Sequence, residues 1–275
     1  MVAARSNGQV SNGQVSNGQG SNGQGSEAEA RSEVKPRHVL CFLGGEHALS
    51  RLGDAASAAI SDFATGFSID RTHSQDQPDA RMIRSFSVCS DRVVRGAWTS
   101  ADEDAVATHG SVLYVLSPPM TAETAVIVSA AALLLVDAVI SAGAVAVKGE
   151  SAGVAHGLAR WRQLVADGAQ ALRSHDDFLL RRAARLGFAK RPLQGESFIE
   201  SVGFHLVGLP EIYLAKTLGG DVDAVRLIDG VADDIAELGL DTVLRDRKAR
   251  LSFVSTYAED DFKFNPYGIV HLDQR

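Results

Sequence analysis

The stretch AVAVKGESAGVAHGLARW, residues 144–161, decides how the fold is interpreted. Its first letters are small and β-branched residues, which predict a short buried strand, and the letters after Gly153 predict a helix. Between them, Gly149 and Gly153 flank Ser151 in the pattern G-x-S-x-G. A strand, a glycine turn and a helix in this order are typical of the nucleophile elbow of serine hydrolases. The alternative is a tight turn in which Ser151 caps the helix that follows.

A serine hydrolase needs more than the elbow. An acid and then a histidine must follow the nucleophile along the chain, and Asp241 or Asp246 followed by His271 satisfies that order. The N–H of Ala152 would supply one oxyanion donor. However, no glycine-rich loop of the HGGG type precedes Ser151, and His271 lies within the apolar letters GIVHL. The sequence therefore favours the turn and keeps the hydrolase as the alternative.

The polar residues around the turn form the favoured candidate site. On the predicted helix, His156 and Arg160 lie four positions apart and share a face. Lys148 ends the strand, and Glu150 precedes the helix, where its charge suits the helix dipole. Ligands commonly bind at the ends of strands in open sheets. We expect a small anionic ligand or a protein partner to contact Lys148, Glu150, Ser151, His156 and Arg160.

Outward from this stretch, apolar runs alternate with helical patterns, which predicts the fold class. HVLCFL (38–43), SVLYVLSPP (111–119) and GAVAVKGE (143–150) are typical of buried strands, and residues 80–94 alternate like a half-buried strand. We expect an α+β protein in which repeated strand–helix–strand units form a mixed sheet covered by helices. Helical patterns are predicted at 49–63, 99–110, 121–141, 154–169, 173–191 and 223–239.

The N-terminal residues have a different composition. Residues 6–25 repeat SNGQV and SNGQG, which cannot bury enough apolar area to offset the entropy of ordering. We expect a disordered tail at 1–37 and a single domain at 38–275. HVLCFL and SVLYVL resemble each other, so the domain is open to division into two similar sub-halves at about 38–110 and 111–275.

Charge and hydropathy exclude several classes of partner. The chain has 275 residues and a net charge of −7, and an acidic protein repels nucleic-acid phosphates. Residues 124–147 are apolar, but Asp137 within them would cost about 2.5–3.5 kcal/mol at the centre of a bilayer, which favours a core helix. No secretory signal pattern is visible. We expect a cytoplasmic protein with no nucleic-acid and no membrane partner.

The cysteines and histidines predict neither a metal site nor a disulfide. Cys41 and Cys89 lie in apolar stretches and are typical of small buried residues in a reducing compartment. His205, Glu211 and His271 do not have the spacing of metal ligands. The chain contains no Walker motif and no G-x-G-x-x-G pattern on a strand–helix turn. We therefore expect no metal and no cofactor.

Four stretches carry a family resemblance. They are HGSVLYVLSPP (109–119), DAVISAGAVAVKGESAGVA (137–155), SVGFHLVGLPEIYL (201–214) and the helix at 223–239 with the strands after it. Together they resemble the bacterial family called domain of unknown function 4261 over about residues 109–270. Gly-Leu-Pro-Glu is the most specific part. The chain departs from the family at the basic residues 173–191 and at Lys148, where the family implies an aromatic strand end.

The resemblance implies a structural role for GESAG and transfers no catalytic residue, since that family has no established activity. We therefore expect a non-catalytic binding or protein-interaction module that acts through residues 148–161. The alternative is a serine hydrolase in which Ser151 is the nucleophile. The basic residues of 173–191 are typical of an amphipathic surface helix.

Overall fold

Two five-stranded sheets, with helices packed on them, make up the fold. In the first sheet the strand order is β2-β3-β1-β4-β5 and every neighbouring pair is antiparallel. Its strands are β1 (Val39–Gly44), β2 (Ser68–Gln75), β3 (Ser111–Leu116), β4 (Ala144–Gly149) and β5 (Val154–His156). The computed structural model describes residues 35–195, 197–218, 221–253 and 265–272.

The second sheet has the order β6-β7-β8-β10-β9, and it is mixed because β10 pairs parallel with β8 while the other pairs are antiparallel. A short 3₁₀ helix at Phe204–Val207, flanked by Gly203 and Gly208, connects β7 to β8. The strands are β6 (Lys190–Gln194), β7 (Phe198–Val202), β8 (Glu211–Ala215), β9 (Arg250–Ser252) and β10 (Ile269–Leu272).

The helices separate into two layers. The helices α2 and α3 cover one face of the first sheet, while α1 and α4 pack against the main core on its other face. The main core continues past α5 and α6 to the second sheet, where α7 contributes apolar residues. The helices are α1 (Leu49–Asp62), α2 (Arg81–Cys89), α3 (Ser100–Ala107), α4 (Ala125–Ser141), α5 (Leu158–Ser174), α6 (Asp177–Phe188), α7 (Asp221–Leu238) and α8 (Leu240–Arg247).

The alternation of residues along β1 explains the two layers. Leu40 and Phe42 point into the main core, whereas Cys41 and Leu43 belong to the smaller core beneath α2 and α3. Successive side chains of a strand lie on opposite faces, so an apolar run such as HVLCFL suits a strand that is covered on both sides. The predicted α+β class, with sheets covered by helices, is confirmed.

The boundary near residue 110 that the two similar runs suggested falls within the first sheet, between β2 and β3. The two strands that resemble each other, β1 and β3, are antiparallel neighbours in one sheet, with Cys41 opposite Tyr114. The change from the first sheet to the second falls at α5 and α6.

The predicted tail at 1–37 lies outside the described residues, except at its end. There the Pro36 carbonyl accepts a hydrogen bond of 2.7 Å from the N–H of Met120. The guanidinium of Arg37 donates to the carbonyl of Ser117 at 2.9 Å. The chain is therefore bound to the fold shortly before β1 begins.

Two local predictions are wrong. Residues 80–94 contain the helix α2 instead of a strand, because Met82 and Phe86, four positions apart, are the residues that become buried. The letters after Gly153 first form β5, whose Val154 pairs with Gly149, and the helix α5 begins only at Leu158.

The apolar residues 124–147 form the core helix α4 and the strand β4, as expected. Leu133, Val136 and Val139 of α4 are among its fully buried side chains. Within the described ranges, no helix is long and apolar enough to cross a membrane.

Candidate functional site

The G-x-S-x-G turn joins two antiparallel strands, so it is a hairpin turn and not a strand-to-helix elbow. Ser151 uses its hydroxyl to hold the start of β1. It donates a hydrogen bond of 2.7 Å to the carbonyl of Arg37 and accepts one of 2.9 Å from the N–H of Val39. The prediction that Ser151 caps a helix is wrong for the same reason, since a strand follows the turn.

Only one of the two glycines in the turn is required by the backbone. Gly153 has a φ of +62°, in the left-handed region that favours glycine. Gly149 is the last residue of β4, and a Cβ there would meet its nearest neighbour at an ordinary 3.6 Å. The motif therefore reflects one turn requirement and not the strained geometry of a nucleophile elbow.

The residues proposed to complete a triad lie in other parts of the fold. Asp241 and Asp246 are on α8, where both are exposed and Asp246 pairs with Arg245 at 3.2 Å. His271 is buried on β10, and its Nε2 lies 2.8 Å from the hydroxyl of Ser252. Among the described residues, no hydrogen bond joins Ser151 to any of these side chains.

His156 and Arg160 do not share a helix face, because His156 belongs to β5 and Arg160 to α5. His156 is fully buried: its Nδ1 lies 3.1 Å from a carboxylate oxygen of Asp91 and its Nε2 lies 3.1 Å from the carbonyl of Gly187. Burial opposes the charge of Asp91, but the neighbouring ring of His156 holds the pKa of that carboxyl below its usual value. His156 therefore positions Asp91. The Nε of Arg160 is buried and has no hydrogen-bond partner in the described part of the chain.

Lys148 and Glu150 form the centre of a polar cluster beneath α2. Lys148 is completely buried, and its Nζ lies 2.8 Å from Oε1 of Glu150. The same ammonium group contacts the hydroxyl of Ser85 on α2 and lies 5.1 Å from the centre of the Phe86 ring. Tyr114 donates a hydrogen bond of 3.4 Å to the same Glu150 oxygen.

The register of the first sheet explains this cluster. Cys41 of β1 lies opposite Tyr114 on one side and opposite Lys148 on the other, so the three side chains form a row on the face that α2 covers. Burial and then the Glu150 carboxylate raise the pKa of Cys41 to about 12. Burial, followed by Cys41 and Glu150, also raises the pKa of Tyr114.

A cavity of about 390 Å³ opens beside this cluster. That volume is within the range of small-molecule sites. The Glu150 side chain is 29% exposed, and its Oε2 accepts no hydrogen bond from the described residues. The cavity is lined by Thr72, His73 and Gln75 of β2, by Arg81, Met82 and Ser85 of α2, and by Tyr114 and Glu150.

The rim of the cavity carries two more charge pairs. Arg81 donates through Nε and Nη2 to Asp79, with a shortest distance of 2.6 Å, and this bond holds the pKa of Asp79 below its usual value. The Nη1 of Arg81 donates to no described residue. His73 lies 2.8 Å from Asp70 and lowers the pKa of that carboxyl. The cavity thus has a histidine of β2 and an arginine of α2 at its rim, and an accessible carboxylate oxygen on Glu150.

A second buried carboxylate, Glu211, lies at the start of β8. Ser201 donates to its Oε2 at 2.6 Å, while the N–H of Gly203 and the Nδ1 of His205 each reach Oε1 at 2.9 Å. Of the residues weighed as metal ligands, His205 and Glu211 are therefore together, whereas His271 bonds to Ser252. The described residues contain no group of three His, Cys, Asp or Glu placed to hold a metal ion.

No protein-family model, curated protein or solved structure matches this chain. The resemblance of residues 109–270 to domain of unknown function 4261 stays a prediction.

The predicted site and the observed cluster share Lys148 and Glu150. The sequence prediction missed Ser85 and Arg81, because the segment that carries them was interpreted as a strand, and it missed Tyr114 within an apolar strand. A lysine inside the apolar run AVAVKG was the available signal, since an uncompensated buried charge is costly and a partner is required.

Proposed function

We propose that this protein is a non-catalytic binding module whose ligand is a small molecule with an anionic group and a hydrogen-bond donor, and that the ligand occupies the cavity between β2 and α2. The observation that supports this most directly is the pairing of the fully buried Lys148 with Glu150. That pairing leaves one oxygen of Glu150 available to the cavity.

A buried ion pair is a poor way to stabilise a fold, because the cost of removing two charges from water offsets their attraction. An apolar residue opposite Cys41 would serve packing as well as Lys148 does. Lys148 instead fixes Glu150 and Ser85 at the cavity wall, and such fixed polar groups give a pocket its orientation and specificity.

The charges of the cavity favour a ligand that is itself of both signs. Lys148 is paired with Glu150 and His73 with Asp70, so an anionic group has the unused Nη1 of Arg81 as its available donor at the rim. The free Oε2 of Glu150 suits an ammonium or hydroxyl group of the same ligand. A small zwitterion, such as an amino acid, fits this arrangement better than a simple anion.

A thermal-shift experiment tests the proposal. We expect α-amino acids, as a class, to raise the Tm of the protein by about 2–6 °C at saturating concentration, and dicarboxylates and polyols to raise it less. The shift should disappear in Glu150→Gln and in Arg81→Gln. The matched control is Glu237→Gln, because Glu237 is exposed on α7 and outside the cavity.

Two results would overturn the proposal. One is that none of the three ligand classes raises the Tm of the folded wild-type protein. The other is that the shift is the same in Glu150→Gln and Arg81→Gln as in the control, since the ligand would then bind elsewhere.

The serine hydrolase is the alternative, and it has less support. Both hydrogen bonds of the Ser151 hydroxyl go to the backbone around β1, so activation by a histidine would require the start of that strand to move.

We also propose a cytoplasmic location. Cys41 and Cys89 are both free, and free cysteines in apolar surroundings suit a reducing compartment.

A further inference from the structure

An apolar surface lies exposed on α2 and the loop that follows it. Nine large apolar side chains are exposed in the described part of the chain, and four of them are Ile83, Val88, Val93 and Val94. Ile83 is 52% exposed and Val88 is 61% exposed. We call the exposed side chains of residues 83–95 the α2 patch. These four residues lie within a stretch of twelve along the chain, and exposed apolar residues that are grouped in this way can mark an interaction site.

The loop of the α2 patch is held in place by buried groups. Asp91 accepts hydrogen bonds from the N–H groups of Val93, at 2.8 Å, and Val94, at 3.4 Å. The other carboxylate oxygen of Asp91 lies 3.1 Å from the buried ring of His156. The backbone of Asp91 also donates to the carbonyl of Ala155 at 2.8 Å, which attaches the loop to β5. The two valines are therefore presented by a fixed turn, and a preordered surface loses little entropy when a partner binds.

The α2 patch is also basic, in contrast to the chain as a whole. Arg84, Arg92 and Arg95 are exposed, and none of them forms an ion pair with a described residue. Asp91, the acidic residue among them, is turned towards His156. The chain has a net charge of −7, so this cationic surface is a local exception.

We propose that the α2 patch is a docking site for an acidic segment of another protein, whose carboxylates pair with the arginines and whose apolar side chains cover the valines. Arginine offers a planar fork that matches carboxylates, and it is enriched at protein interfaces. A symmetric dimer through the patch is disfavoured, because it would bring the unpaired guanidinium groups of two copies together. A membrane is disfavoured because the patch exposes short aliphatic side chains and no aromatic anchor.

The test uses defined probes on the full chain. One synthetic peptide forms an amphipathic helix with leucine on one face and glutamate on the other, and a second has lysine in place of glutamate. We expect fluorescence anisotropy to show binding of the acidic peptide alone, weakening with added salt. The double variant Arg84→Glu/Arg95→Glu should weaken that binding by about tenfold or more.

Two further variants distinguish the loss of charge at the α2 patch from a general effect on the protein. Arg162 is exposed on α5, far along the chain from the patch, so Arg162→Glu should leave peptide binding unchanged. Val88→Ser should weaken binding without changing its dependence on salt. The proposal is overturned if the folded protein does not bind the acidic peptide, if Arg162→Glu weakens binding as much as the double variant, or if the protein binds anionic vesicles and neither peptide. Concentration-dependent dimerisation that Arg84→Glu/Arg95→Glu strengthens would also contradict it.

Discussion

Glu150 and Glu211 are two carboxylates at the ends of strands, and they differ in how their oxygens are hydrogen-bonded. Glu211 receives hydrogen bonds on both oxygens from Ser201, Gly203 and His205. Glu150 receives its two contacts, from Lys148 and Tyr114, on the same oxygen, and its other oxygen is left to the cavity.

The difference separates a structural carboxylate from one that is available to a ligand. Two of the donors to Glu211, Gly203 and His205, lie within the segment that connects β7 to β8, so this carboxylate fixes the path of that connection. Glu150, in the turn after β4, is fixed by Lys148 of that strand and keeps unused hydrogen-bonding capacity. The free oxygen of Glu150 belongs to a partly exposed side chain at the cavity wall, which makes it reachable by a ligand, whereas Glu211 is buried.

The largest effect should come from Glu211. Glu211→Leu removes the acceptor from three buried donor residues, and we expect the free energy of unfolding to fall by about 3–5 kcal/mol in chemical denaturation. Glu150→Gln keeps an acceptor for Tyr114 but leaves the fully buried Lys148 without its carboxylate, so we expect a smaller loss of about 2–3 kcal/mol. A loss in Glu150→Gln as large as that in Glu211→Leu would remove the distinction between the carboxylates.

The second effect concerns Lys148. Lys148→Met leaves Glu150 without its cation, and we expect a loss of about 2–3 kcal/mol. In Lys148→Met/Glu150→Gln the uncompensated charge is gone, so the double variant should be more stable than Lys148→Met alone. A denaturation double-mutant cycle measures this coupling. Strict additivity of the two substitutions would mean that the pair does not act as a unit.

A third prediction concerns pH. Burial, and then the nearby His205, lower the pKa of His38 to about 3, and its Nε2 lies 2.7 Å from the Ser129 hydroxyl, which itself donates to Leu206. The unfolded chain binds a proton on His38 near pH 6.5 while the folded chain does not. Stability contributed by the neutral ring is therefore present above pH 6.5 and declines by about 1.4 kcal/mol per unit as the pH falls towards 3.

His38→Gln is the variant that isolates this effect, because glutamine keeps a donor for Ser129 and does not titrate. Between pH 6 and pH 4 we expect the free energy of unfolding of this variant to depend less steeply on pH than that of the wild type. The difference should correspond to about one fewer proton taken up per molecule on unfolding. An unchanged slope would assign the acid sensitivity to other groups.

The smallest effect should come from Ser151. Ser151→Ala removes two hydrogen bonds at the start of β1 and should cost about 1–2 kcal/mol. A fluorophosphonate probe should not label Ser151 in the wild-type protein. Labelling that disappears in Ser151→Ala would support the hydrolase instead and would show that the turn opens in solution.

The sequence correctly predicted most of the helices and strands in which apolar residues recur with one clear period, because the fold buries one regular face of each. The strands β1, β3 and β4 and the helices α1, α3, α4 and α7 lie where their patterns indicated. The pattern misled where both periods fit. Met82 and Phe86 are four positions apart, as on one face of a helix, and Val88 extends the alternation of a strand although it is exposed in the helix. The local sequence does not specify which of its apolar residues will be buried by the rest of the fold.

The candidate site was predictable only in part, for a related reason. Lys148 and Glu150 are conspicuous in the sequence, but their partners come from β3 and α2, and only strand register brings Tyr114 and Ser85 to them. The hydrogen bonds of Glu211 were equally hidden, because Gly-Leu-Pro-Glu does not indicate that its glutamate turns back to Ser201 and His205.

The position of β10 has a consequence for how the chain folds as it is synthesised. All strands of the first sheet are present once residue 156 has been made, whereas β10 follows β9 in the chain and yet lies between β8 and β9. Among the described strands, the last one to emerge from the ribosome is thus an internal strand of the second sheet. Contacts between strands far apart in sequence also form slowly. The first sheet can therefore assemble during translation, while β8 must wait with an open edge, and that interval is when the nascent chain is most exposed to aggregation.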